Sequence, residues 1–228
     1  MGCRFCASTI GGLYRNLTAG EILNQVIFAQ KDGGERISNI VMMGIGEPLD
    51  NYDNVITFLH NVNREKGLNI GYRHITLSSC GVVPKILQLA KENLPITLTV
   101  SLHAPNDEIR DEIMPVNHKW KTKELIDACG EYFKATGRRI SFEYSLIHGV
   151  NDSMKNADEL TRLIKKLNAH VNLIPVNKVE ERSYSKGTQQ EIRAFCDRLT
   201  NNGINATIRR ELGSDISASC GQLRKKVL

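Results

Sequence analysis

The feature that most constrains this chain is a regular alternation of short apolar segments of strand length with longer segments of helical periodicity. Strands are expected at 37–43, 73–79, 96–102, 139–146, 170–175 and 205–210. Helices are expected at 18–30, 53–65, 84–92, 122–135, from 151 or 152 to 167, and at 188–200. Thr18 and Glu21 have the spacing of a capping box, and Gly137 and Gly203 stand where helices are closed. The strands read as continuous apolar runs, which suits strands covered on both faces. Strand–helix alternation of this kind gives a parallel sheet with right-handed crossovers. An open sheet and a barrel fit it equally well, and in both the carboxyl ends of the strands carry the site. The unusual residues lie there, at 44–48, 78–81, 101–103 and 175–177.

Composition narrows the class. With 228 residues, 41% of them hydrophobic and 24% charged, the chain is an ordinary globular protein rather than a disordered one. The longest apolar runs, such as that at 40–43, are far too short to span a bilayer, so no membrane association is expected. The opening Met-Gly-Cys-Arg-Phe-Cys has no basic stretch followed by an apolar core, so no signal peptide is expected. The net charge of +5 is compatible with a polyanionic partner without demanding one. In a reducing, cytoplasmic setting the six cysteines read as free, metal-binding or catalytic thiols rather than as a disulfide framework.

Two thiols open the chain, as Cys3-Arg4-Phe5-Cys6. A Cys-x-x-Cys pair fits half a zinc site, a redox couple or part of an iron–sulfur site. Zinc would need a second close pair, but Cys80 and Cys220 are isolated. A redox pair would sit between a strand and a helix, and this one does not. After the first expected strand comes Gly44-Ile45-Gly46-Glu47-Pro48, where glycines permit close approach of a ligand and Glu47 can accept a bond from an ammonium. Taken singly, such a turn is weak evidence. A Ser or Asn at a strand end is usually a cap or turn residue, and a lone His is usually a satisfied loop residue.

Taken together these segments resemble the RlmN/Cfr family of radical S-adenosylmethionine (SAM) RNA methyltransferases. The resemblance rests on Gly44–Pro48, Ser78-Ser79-Cys80-Gly81-Val82-Val83-Pro84, Ser101-Leu102-His103-Ala104-Pro105-Asn106, Asn172-Leu173-Ile174-Pro175-Val176-Asn177 and Ser219-Cys220-Gly221-Gln222-Leu223, in that order and over essentially the whole chain. It implies an α/β fold, a partial (β/α)6 TIM-like barrel, with residues 1–228 forming one radical SAM core. Cys3 and Cys6 match the second and third ligands of a Cys-x-x-x-Cys-x-x-Cys motif for a 4Fe-4S cluster. The first ligand would fall before Met1, so the chain is expected to lack its start: that ligand, the first strand and an accessory domain. Gly46, Glu47, Ser78, Ser101, Leu102, His103 and Asn177 are the SAM-binding positions the resemblance implies.

The resemblance also implies a mechanism. Carbon 2 of adenine has no nucleophilic lone pair, so direct displacement on SAM does not methylate it. Two SAM molecules are used per turnover. One methylates Cys220; the other yields the radical that activates the S-methyl group for addition to the base. A resolving cysteine then releases the product by forming a disulfide, and a glutamate removes the C2 proton; both are expected upstream. Implied partners are 23S rRNA, tRNA and an electron donor such as flavodoxin, acting on a monomer. Arg209, Arg210 and Arg224-Lys225-Lys226 are candidates for RNA contact. Methylation at carbon 8, an inactive RNA-binding piece, and a zinc or redox protein are the competing readings. The last leaves the Gly-Glu-Pro, Ser-Leu-His and Cys220 motifs unexplained. Cys129 and Cys196 fall in helix patterns and are expected to be packing residues.

Overall fold

The computed structural model describes residues 1–210 and Gln222. Among them, six strands form one all-parallel sheet in chain order: β1 (Ile40–Met42), β2 (Ile75–Ser79), β3 (Thr97–Ser101), β4 (Ile140–Leu146), β5 (Ala169–Pro175) and β6 (Asn205–Ile208). Among the described residues the sheet is open, since β1 and β6 each pair there with a single neighbour. Seven α-helices accompany it: α1 (Ala19–Gly33), α2 (Tyr52–Asn63), α3 (Val83–Glu92), α4 (Asp107–Ile113), α5 (Thr122–Thr136), α6 (Met154–Ile164) and α7 (Gln189–Asn201). This is the expected partial-barrel architecture.

Local chemistry starts and stops these helices where the sequence marks them. Thr18 and Glu21 form the expected capping box of α1, and Thr188 and Glu191 form one at α7. Gly137 closes α5 at a φ of +65°, a left-handed conformation that glycine adopts without steric cost. Helix α4 was not expected. Its seven residues are too few for a periodic signal, but Asn106 caps it by accepting from the Ile109 amide. Strand β1 is shorter than expected because the polar Ser38 and Asn39 precede it and pair with no strand.

The expectation of continuous apolar strands holds for burial and fails for chemistry. All seven residues of β4 are buried, yet its two faces differ. Ile140, Phe142, Tyr144 and Leu146 join the helix-covered core, where the Tyr144 ring stacks on Phe195 of α7 at 5.5 Å. The opposite face carries Ser141, Glu143 and Ser145. The parallel register continues that polar face across the sheet. Thr76 stands beside Thr97, Ser78 beside Thr99, Ser101 beside Glu143, and Asn172 between Glu143 and Thr207. The inner surface of the partial barrel is therefore lined by hydroxyls, amides and a carboxylate.

Candidate active site at the strand ends

The loop after β1 holds the first group of expected residues. Gly44 and Gly46 have φ values of +123° and +93°, a region closed to most side chains. Glu47 then ties this loop to the next strand. One carboxylate oxygen accepts from the Leu49 amide at 3.0 Å, and the other accepts from the Cys80 amide, just past β2, at 2.7 Å. Burial raises the Glu47 pKa, and the two amide bonds act against that shift. The carboxylate is thus first a staple between two loops, with the side chains of Cys80 and Ser79 also bonded to it.

The second group is a knot after β3. His103 has a φ of +56°, the left-handed region in which a non-glycine residue is strained. Neighbouring bonds hold it there. The amides of Leu102 and His103 both donate to the Glu143 carbonyl, at 3.1 and 3.2 Å. The fully buried Asn151 donates to the carbonyls of His103 and Ser145, both at 2.7 Å, and accepts from the Ile147 amide at 2.7 Å. The Ser145 amide donates to Nδ1 of His103 at 2.9 Å. An Nδ1 that accepts from an amide carries no proton, so the ring is neutral and its proton sits on Nε2. Burial, then the nearby Arg110, pushes the His103 pKa down to about 3. No described residue accepts from Nε2, which leaves one oriented donor for a ligand.

Ser78 and Ser101 lie on the polar inner face, and neither hydroxyl has a hydrogen bond within the described residues. Leu102, between Ser101 and His103, is fully buried in the apolar core, and its amide and carbonyl are both bonded internally. It anchors its two neighbours rather than offering a free polar group. Asn177 lies two residues beyond β5, and the adjacent Val176 amide is fixed to the Leu146 carbonyl at 3.1 Å. The expected residues from four strand ends thus meet at one end of the sheet.

The two N-terminal thiols share one turn, with the Cys6 amide donating to the Cys3 carbonyl at 3.3 Å. Thr9 Oγ1 donates to the same two residues' carbonyls, at 3.2 Å to Cys3 and 2.8 Å to Cys6. Phe5, between the thiols, meets the His103 ring edge-on at 4.9 Å, so this turn is seated on the His103 knot. Burial and the neighbouring Cys6 push the Cys3 thiol up to about 11. Two thiols side by side resist joint ionisation unless a cation takes the charge. Among the described residues, no group of three or more ligating side chains converges. Among the described residues the pair is thus too small for a closed four-ligand zinc site, while two soft donors half-buried on one turn suit part of a cluster site.

Other expected residues fall elsewhere. Arg209 remains exposed, and its guanidinium reaches the inner face, 3.3 Å from Met43 Sδ and 3.7 Å from Glu143 Oε2. Cys220 and Arg224-Lys225-Lys226 lie outside the described residues. Cys3, Cys6, Cys80, Cys129 and Cys196 are all free thiols, and Cys129 is fully buried packing as expected. Sequence reasoning missed Arg110, Glu143 and Asn151 as parts of the site. Arg110 and Asn151 follow the recognised Ser-Leu-His and strand motifs by a few residues, and a charged or amide group within an apolar context was the available signal.

Comparison with known proteins places these observations. The chain is 56% identical over 226 residues to a probable dual-specificity RNA methyltransferase RlmN of Desulforamulus reducens, and 59% identical over 226 residues to that of Clostridium tetani. Each alignment covers 99% of this chain and 65% of the relative, so the chain spans about two thirds of those proteins' length. A radical SAM methyltransferase from Sphaerobacter thermophilus superposes with a TM-score of 0.94 and 47% identity, over 97% of this chain and 66% of that one. Streptococcus suis SuiB, at 17% identity and a TM-score of 0.67, shares the fold alone. No helix among the described residues is long and apolar enough to cross a membrane. With residues 1–161 matching the description of the radical SAM superfamily, and with its loops gathered at the strand ends as above, the chain belongs to that superfamily.

Proposed function

We propose that residues 1–228 form the radical SAM core of an RNA methyltransferase that modifies carbon 2 of adenosine in 23S rRNA and in tRNA. The observation that carries this reading is the placement of Gly46, Glu47, Ser78, Ser101, His103 and Asn177 at the carboxyl ends of one parallel sheet, where Phe5 of the Cys3–Cys6 turn rests on His103, in a chain 56–59% identical to relatives named RlmN. A 4Fe-4S cluster held in part by Cys3 and Cys6 would supply the electron that cleaves SAM. The chain's own groups suit the rest. The glycine loop admits the methionyl end of SAM, the two serine hydroxyls and the His103 Nε2 donor face its polar groups, and the neutral ring takes up no proton at physiological pH. Cys220 is proposed as the methyl carrier, with two SAM consumed per turnover and a flavodoxin-like protein as electron donor. The protein is proposed to act as a cytoplasmic monomer.

The test is methyl transfer from labelled SAM to 23S rRNA and tRNA fragments, with the product nucleoside identified by mass spectrometry. The experiment uses the chain extended upstream to its relatives' length, after anaerobic iron–sulfur reconstitution. The expected product is 2-methyladenosine, with no transfer in C220A. 8-Methyladenosine would move the assignment to the carbon-8 enzymes. An extended chain that takes up zinc and no iron would end the radical SAM chemistry proposed here.

A further inference from the structure

Arg110 is a fully buried cation that no step above employs. Its guanidinium donates to four acceptors, all of them neutral: the Leu102 carbonyl at 3.0 Å, Asn117 Oδ1 at 2.9 Å, the Cys80 carbonyl at 2.7 Å and the Ser101 carbonyl at 3.3 Å. It therefore bridges the ends of β2 and β3, the same loops that carry the expected SAM contacts. No carboxylate among the described residues lies within ion-pairing distance of it. The two acids nearest along α4 are turned to other work. Asp111 takes the Lys121 ammonium at 2.7 Å, and Asp107 takes the Thr122 amide at 2.8 Å. The Asn117 amide stands between them and Arg110, donating to both acids. A buried charge without an opposite charge is costly and is ordinarily neutralised or paired.

The thiol-bearing turn lies on this same part of the molecule. The Arg4 amide donates to the carbonyl of Ile113, the last residue of α4, at 2.9 Å, and Phe5 rests against His103. Cys80, Cys3 and then Asp107 are the groups whose negative charge would most favour the Arg110 cation. Cys80 is buried and its thiol is pushed far up, so it stays neutral. Asp107 is already bonded by the Asn117 and Thr122 amides, so the Cys3–Cys6 turn is the place where further negative charge would collect. A cluster held by thiolates is anionic, and gaining one electron makes it more so by one unit.

We propose that Arg110 is the counter-charge of the cluster site: a positioning residue whose buried cation, fixed by four neutral acceptors, favours the one-electron-reduced cluster at Cys3 and Cys6. This rests on reading those thiols as cluster ligands. The carbonyl bonds fix the guanidinium in place, and the charge itself does the tuning.

The test compares R110K, R110Q and N117D with the parent in the upstream-extended, reconstituted protein. Iron per chain is measured first, then a dithionite titration followed by electron paramagnetic resonance. R110K keeps the charge and loses bonds; R110Q loses both; N117D keeps the guanidinium and gives it a carboxylate. At fixed potential, R110Q is expected to lower the reduced-to-oxidised ratio about tenfold, equivalent to about 59 mV for one electron, which is the scale of a single charge across several ångströms of protein. N117D is expected to lower it in the same direction, and R110K to stay within about twofold. Equal shifts in R110K and R110Q, or iron-loaded variants with unchanged potentials, would overturn the proposal and leave Arg110 a purely mechanical tie. Should R110Q fail to fold, N117D against R110K decides by the same criterion. A parent chain that binds no iron would overturn the cluster reading along with it.

Discussion

Strand β4 buries all seven of its residues, whereas β1 is three residues long and buries none. The adjoining helices repeat the contrast, since α5 buries five residues and α1 none, leaving Phe28 and Ile27 of α1 exposed. The candidate site is drawn from both regions. At the β3–β4 end, nearly every polar atom of the His103 knot has a named partner, and a strained backbone is held by Asn151 and the Glu143 carbonyl. At the β1 end, the glycine loop is tied to the rest of the sheet through one carboxylate, Glu47. The difference separates two ways of fixing a ligand-binding loop: a saturated buried network, in which each bond supports the others, and a single staple on a lightly packed edge.

Breaking the network is expected to cost most. Asn151→Ala leaves the His103 and Ser145 carbonyls and the Ile147 amide without partners, and should reduce stability by about 3 kcal/mol or more in urea denaturation. A loss below about 1 kcal/mol would show that the knot is less interdependent than its bonds indicate. Glu47→Ala removes the staple and should cost about 2 kcal/mol, with faster hydrogen exchange at the Leu49 and Cys80 amides and little change in β4. Exchange that rises equally in both regions would erase the distinction.

The His103 ring gives the buried network a pH signature of its own. The unfolded chain binds a proton on this histidine near pH 6.5, while the folded one does so only near 3. Between those values the unfolded state holds the extra proton, so stability falls as pH falls. The parent should lose about 1.4 kcal/mol per pH unit more than His103→Gln over that window, a difference absent above it. The smallest effect is expected on the exposed face of α1, where Phe28→Ser should change stability by no more than about 0.5 kcal/mol. A large loss there would mean that the edge is packed in solution.

The chain's pattern made the alternation of elements, the capping box at Thr18 and the closing Gly137 legible, because each depends on residues close in sequence. Helix α4 escaped because it is two turns long and starts directly after the Ser101–Asn106 motif. The site was legible as a set of motifs, but not as a set of roles. The sequence pointed to Glu47 as an ammonium acceptor, and the fold shows it stapling two loops across 33 residues. Leu102 stood beside two polar candidates and proved to be their apolar anchor. Arg110 and Asn151 matter through contacts with segments 30 and 48 residues away, which no local pattern reports. Arg209 read as surface charge because nothing near it in sequence reveals Glu143.

The polar inner face of the sheet has a calorimetric consequence. Exposing apolar area on unfolding raises the heat capacity, and exposing polar area lowers it. Thr76, Ser78, Thr99, Ser141, Glu143 and Asn172 present hydroxyls, an amide and a carboxylate where many sheets of this size present valine and leucine. Unfolding this barrel should therefore carry a smaller heat-capacity increment per residue than unfolding an α/β domain with an apolar lumen. Its stability should accordingly vary less with temperature, cold as well as warm.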